Sequence, residues 1–186
     1  NEWNTHSKVK IVESSVSDNH LKFVSNFPYG SAVLGVTEVN YNSAGIIQKA
    51  VIKLNDNFYF HTTPGFYLFN QVYLGDVVTH ELGHLLGLSH SEVLGSSMFY
   101  SSFSGHSTLS LDDKSAIRQK YDDDFGSIYG VVKGGSGVGV LGVHVQAVSQ
   151  NTGEASGVIS DEDGNFVLGG LDLNDTYYLY TSPLKK

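Results

Sequence analysis

Cysteine is absent from this 186-residue chain. The fold therefore relies on no disulfide, and cysteine usage leaves no mark of the compartment in which the chain works. Basic residues are outnumbered, with 11 Lys and Arg against 19 Asp and Glu and a net charge of −8. No basic run occurs, which argues against a nucleic-acid partner. No stretch of eighteen apolar residues is present, so no helical membrane span is expected. The first residues show no signal-peptide pattern either. Methionine occurs once, at Met98, and tryptophan once, at Trp3. What remains is ordinary: 40 % apolar residues, enough for a core, in a length that suits one medium domain and one small one.

Against that background, residues 80–90 stand out: His-Glu-Leu-Gly-His-Leu-Leu-Gly-Leu-Ser-His, of the form H-E-x-x-H-x-x-G-x-x-H. His80 and His84 are four apart and share one face of a helix. Both can reach one cation at about 2.0–2.1 Å. Glu81 follows the first ligand and points beside the metal, as a general base acting on water should. Gly87 lies three residues after His84. Glycine adopts a left-handed conformation cheaply and commonly ends helices. The chain can turn there and swing His90 back as a third ligand. Three protein ligands leave a fourth position open, the arrangement of a catalytic rather than a structural zinc. Leu82, Leu85 and Leu86 give the same helix a core-facing stripe.

The extended motif resembles that of the metzincin zinc peptidases. Their second hallmark is a methionine in a turn beneath the metal, and Met98 falls eight residues after His90. Ser91, directly after the third histidine, and the spacing to Met98 resemble the matrixins, in their bacterial form. Residues 109–121 are similar to that family's last helix. Read on its own, the segment has Ser110 as N-cap, aspartates at its start and Arg118 and Lys120 near its end. One departure concerns tyrosine. Matrixins place it directly after the methionine, whereas here Phe99 intervenes and Tyr100 follows, as in astacins and serralysins. That likeness makes Tyr100 a candidate oxyanion stabiliser. The segment carrying a second zinc and calcium in animal matrixins is not recognisable, so the resemblance implies one catalytic zinc and leaves calcium open. Asn1 to Asn4 resemble the end of the family's long first helix, which implies an N-terminally trimmed domain.

Strand patterns cover residues 9–13, 21–24, 32–39 and 50–54. By resemblance, 32–39 is the edge strand above the cleft, able to pair with an extended peptide. Asp122, Asp123 and Asp124 form a solvated acidic boundary. Beyond it lie short alternating strands at 128–132, 143–148, 164–168 and 177–180, separated by glycine turns, which suggests a small β-sandwich. Gly130-Val131-Val132, Gly142-Val143-His144-Val145, Thr152-Gly153, Asp163-Gly164-Asn165-Phe166, Gly170-Leu171 and the tyrosine strand together resemble a carboxypeptidase-regulatory-like, transthyretin-like domain, truncated at its end. Asp161 to Gly164 reads as a β-turn.

The expected architecture is thus an α+β metzincin-type catalytic domain over 1–125, with a mixed twisted sheet, an active-site helix and a C-terminal helix. A small all-β sandwich follows over 127–186. The expected activity is zinc-dependent endopeptidase, with His80, His84 and His90 on the metal, Glu81 as general base and Tyr100 as helper. The expected substrate is protein or peptide, the location extracellular and the state monomeric. Phe99 and Phe103 hint at an apolar or aromatic side chain in the substrate. The alternative is an inactive scaffold with a protein- or glycan-binding sandwich, against which the intact Glu81 and all three histidines speak.

Overall fold

A computed structural model of the chain describes residues 2–65, 71–101 and 104–183. Phe103 lies outside them. The chain opens with a short 3-10 helix, Glu2–Thr5, which buries Trp3. Strands β1 (His20–Val24), β2 (Gly35–Tyr41) and β3 (Ile47–Asn55) form a sheet in the order β1-β3-β2. β3 pairs in parallel with β1 and antiparallel with β2. In β3 the alternating residues Ala50, Ile52 and Leu54 are buried, the period of a strand with one face on a core. The short parallel pair β4 (Tyr59–His61) and β5 (Gln71–Tyr73) leads directly into helix α1 (Leu74–Leu85).

Two apolar clusters meet on α1. One joins Ile52 and Leu54 of β3 to Val77. The other gathers Trp3, Leu86, Met98, Leu109 and Ile117. Leu82 and Leu85 touch both clusters, so the stripe expected of this helix locks it between the sheet and helix α2 (Leu111–Tyr121). α2 starts as its sequence requires. Ser110 accepts from Asp113 N–H, and the Asp113 side chain accepts from Ser110 N–H, closing a capping box. At its other end, Tyr121 Oη donates to Leu86 O at 2.8 Å.

Residues 9–13 are not a strand. Asn4 takes their backbone pairing instead: its Nδ2 donates to Ile11 O and its Oδ1 accepts from Ile11 N–H, both at 2.7 Å. The apolar alternation there serves a different end, packing Val9 and Ile11 against the Trp3 cluster.

After α2 the chain is β-rich. β7 (Val143–Ser149) is central to the antiparallel sheet β10-β7-β8, with β8 Ala155–Ile159 and β10 Tyr177–Pro183. β6 (Gly126–Val131) pairs antiparallel with β9 (Asn165–Leu171). Val143, Val145, Ala147, Leu168 and Leu171 form a shared core between the two sheets. At residues 161–164, Gly164 N–H donates to Asp161 O at 3.0 Å, which is the β-turn read from the sequence. β8 and β9 lie against α2, where Gly157 N–H donates to Asp112 Oδ1 at 2.8 Å. No helix among the described residues is long and apolar enough to cross a membrane.

Candidate metal centre

α1 places His80 and His84 one turn apart, and the end of that helix delivers His90. The helix stops in two hydrogen bonds: Gly87 N–H to His84 O at 2.8 Å and Leu88 N–H to Gly83 O at 3.0 Å. This is a Schellman cap, with Gly87 at φ 80° in the left-handed conformation that the motif requires. The chain reverses there, and the imidazoles of all three histidines converge. Their ligand atoms lie within 4.8 Å of one another.

The tautomers follow from the neighbours. His80 Nδ1 faces Ser97 O at 2.7 Å, and His84 Nδ1 faces Leu88 O at 2.8 Å. A carbonyl only accepts, so in each ring Nδ1 carries the proton and Nε2 presents a lone pair. Those two lone pairs face each other at 3.1 Å, and His84 Nε2 stands 3.2 Å from His90 Nε2. Two bare acceptors at that distance do not bond to each other. Ligands at about 2.0–2.1 Å from one tetrahedral ion would stand about 3.3 Å apart, close to what is found. Burial pushes His80 down to about 4, with His84 and His90 reinforcing the effect, and lowers His90 as well. Neutral imidazoles, oriented by carbonyls through the other nitrogen, are the form that binds a metal. The residues fit a zinc ion.

Glu81 is only 4 % exposed. Burial raises its pKa, while the hydroxyl of Thr37 holds it down. Thr37 Oγ1 lies 2.6 Å from Glu81 Oε2 and 3.0 Å from Glu81 O, tying β2 to the ligand helix. Gly35, also on β2, leaves room for the carboxylate; a Cβ there would stand 2.9 Å from Glu81 Oε1. The order β1-β3-β2 leaves β2 at a sheet edge among the described residues, beside the histidines.

Met98 is buried under α1, against Gly83. A Cβ on Gly83 would come within 2.2 Å of Met98 Sδ and 2.9 Å of the Trp3 ring, so any side chain at this position would have to displace Met98 and press on Trp3. The loop carrying Met98 is held by Asp113 of α2. The carboxylate accepts from Ser96 Oγ at 2.5 Å, Ser97 N–H at 2.8 Å and Met98 N–H at 3.2 Å. Ser97 O in turn orients His80, so Asp113 acts on the ligand through one peptide unit. Tyr100 stands at the rim, exposed and stacked on Phe99, with its ring 6.4 Å from that of His90.

All these groups except Asp113 and the buried floor open on one cleft of about 940 Å³. The sequence picked out the three histidines, Glu81, Met98 and Tyr100, and they come together. It passed over Thr37, Gly35, Gly83 and the tethering roles of Asp112 and Asp113. Only Asp113 carried a local signal, as the partner of Ser110 three residues earlier.

Comparison with known families agrees with this geometry. Residues 2–122 match the family model described as Matrixin. No curated protein matches the chain.

Proposed function

The chain belongs to the matrixin family, a zinc-dependent peptidase family, and from that premise we propose that it is a zinc endopeptidase whose chemistry runs through Glu81. The observation that carries this reading is the pair of Nε2 lone pairs of His80 and His84, converging with His90 beside a buried carboxylate. His80, His84 and His90 would hold the zinc ion, which would supply a Lewis acid to polarise a peptide carbonyl and to acidify water near neutral pH.

The protein's own residues supply the rest. An extended peptide pairs with the free edge of β2, which sets the scissile carbonyl over the histidines. Glu81 accepts a proton from the attacking water as the oxygen–carbon bond forms. It returns that proton to the amide nitrogen as the carbon–nitrogen bond breaks; the second water proton follows from the new carboxylic acid to the amine, releasing a carboxylate and an ammonium group. Thr37 keeps Oε2 of Glu81 in place for both transfers. Tyr100 donates a hydrogen bond to the oxyanion that develops on the substrate. Residues 127–186 form a carboxypeptidase-regulatory-like module appended to the peptidase of residues 1–125, and the pair works outside the cell.

Chelation tests the reading. Cleavage of denatured protein should stop on removal of metal and return with one equivalent of zinc. Cleavage that persists in the metal-free protein would contradict it.

A further inference from the structure

His90 is the least supported of the three ligands. It lies beyond the end of α1 and is exposed. Among the described residues none accepts a hydrogen bond from its Nδ1, whereas His80 and His84 each have a carbonyl there. Residues 88–90 line the catalytic cleft on one side. On the other they line a second cavity, of about 430 Å³, bounded by α2, β8 and β9. Packing therefore leaves this segment room on both sides, and hydrogen bonds must fix it.

Ser91 supplies them. Its N–H donates to Met98 O at 2.9 Å, and its hydroxyl donates to Asp112 Oδ2 at 2.6 Å. Asp112 is held in turn from the two-sheet unit that follows α2. Among the described residues β8 is an edge strand of its sheet, and edge strands present free amides. One of these, Gly157 N–H, donates to Asp112 Oδ1 at 2.8 Å. The approach is close. A Cβ on Gly157 would stand 2.4 Å from His144 Nε2 and 2.9 Å from Val93 Cγ2. One on Gly170 of β9 would come within 1.8 Å of Ser115 O in α2, so the second sheet rests on the same helix just as tightly.

We propose that the two-sheet unit is a positioning element of the metal centre: through Gly157, Asp112 and Ser91 it sets His90 beside the other two ligands. Ser91 and Asp112 are positioning residues, and Gly157 couples them to the sheet edge. The proposal rests on the metal-site reading and gives residues 126–183 a role in it. A unit that served only to hold other molecules would leave metal affinity untouched when its edge is disturbed.

The test is zinc affinity of the full chain, measured by competition with a chelator on folded protein. Gly157→Val puts a branched side chain where even a Cβ is too close, and so drives β8 off Asp112 without altering any residue of the metal site. Zinc should be held about tenfold to a hundredfold more weakly, the usual effect of losing a group that orients a ligand. Ser91→Ala should do the same, while Ser91→Thr, which keeps the hydroxyl, should stay near wild type. The two losses should not add, because both variants interrupt one relay. Val145→Ala is the control: its side chain is fully buried in the core of the two-sheet unit, so it destabilises that unit and should leave zinc affinity alone. The visible bands of the cobalt-loaded protein, which report the ligand set, should shift in Gly157→Val and Ser91→Ala but not in Val145→Ala. Wild-type affinity in either of the first two variants overturns the proposal, as do additive losses. So does an equal loss in Val145→Ala, which would make the effect one of stability alone. A wild type that binds zinc and shows the expected pattern, yet cleaves no peptide, would keep the coupling and reject the peptidase reading. A wild type that takes up no zinc would reject both.

Discussion

Gly157 N–H donates to Asp112 Oδ1 at 2.8 Å, across 45 residues of sequence. The other oxygen of that carboxylate accepts from Ser91 Oγ at 2.6 Å, one residue past the third histidine. Ser91 Oγ also accepts from Val93 N–H at 2.9 Å, and Ser91 N–H donates to Met98 O at 2.9 Å. The β-rich part of the chain is therefore tied through a single buried carboxylate to the loop that carries His90.

Replacing Asp112 by alanine leaves Gly157 N–H and the Ser91 hydroxyl without their acceptor. The expected cost is about 1–3 kcal/mol for each group stranded in the interior, seen as a lowered midpoint in urea. Asp112→Asn should lose less. Burial raises the pKa of Asp112 in the fold. An acid whose folded pKa lies above its unfolded one is relatively stabilising when protonated, and that benefit is lost as pH rises from the ordinary carboxylate range through the raised value. Wild type should therefore lose stability relative to Asp112→Asn across that window. Parallel pH profiles for the two proteins would show that burial does not act on this group.

Asp113 is the second tether. Alanine there removes the acceptor of Ser96 Oγ, Ser97 N–H and Ser110 N–H together. A loss of about 3 kcal/mol or more is expected, and zinc should be held more weakly because Ser97 O orients His80. Thermal melting with and without zinc reads both effects. A variant that melts like wild type and keeps its zinc affinity would remove Asp113 from the account.

These tethers explain what could be read from the sequence and what could not. His80, His84, Gly87 and His90 lie within one helix and its cap, so their geometry follows from local rules of spacing and φ. The Ser110–Asp113 capping box is local too, and α2 begins where it says. Thr37 meets Glu81 across 44 residues, and no periodicity announces such a pair. Asp112 and Asp113 fit the start of a helix equally well whether or not they reach Gly157 and Ser97. Residues 9–13 carried a strand pattern, but Asn4 captured the hydrogen bonds that a strand would have needed. The pattern fails there because a side-chain amide pairs with Ile11 in place of a neighbouring strand.

Tyr100 can be separated from the metal. Tyr100→Phe removes only the phenol hydroxyl, at an exposed position where folding does not depend on it. The expected result is a fall in kcat of up to about a hundredfold with zinc affinity unchanged. An unchanged kcat would assign the ring to the wall of the cleft, stacked on Phe99, and nothing more.

The most direct measurement is zinc content and peptide cleavage of Glu81→Ala beside wild type. Both proteins should bind one zinc and melt alike with it, while the variant's kcat falls by about a hundredfold to ten-thousandfold. A Glu81→Ala protein that holds zinc and cleaves at the wild-type rate would contradict the assignment of the chemistry to this carboxylate.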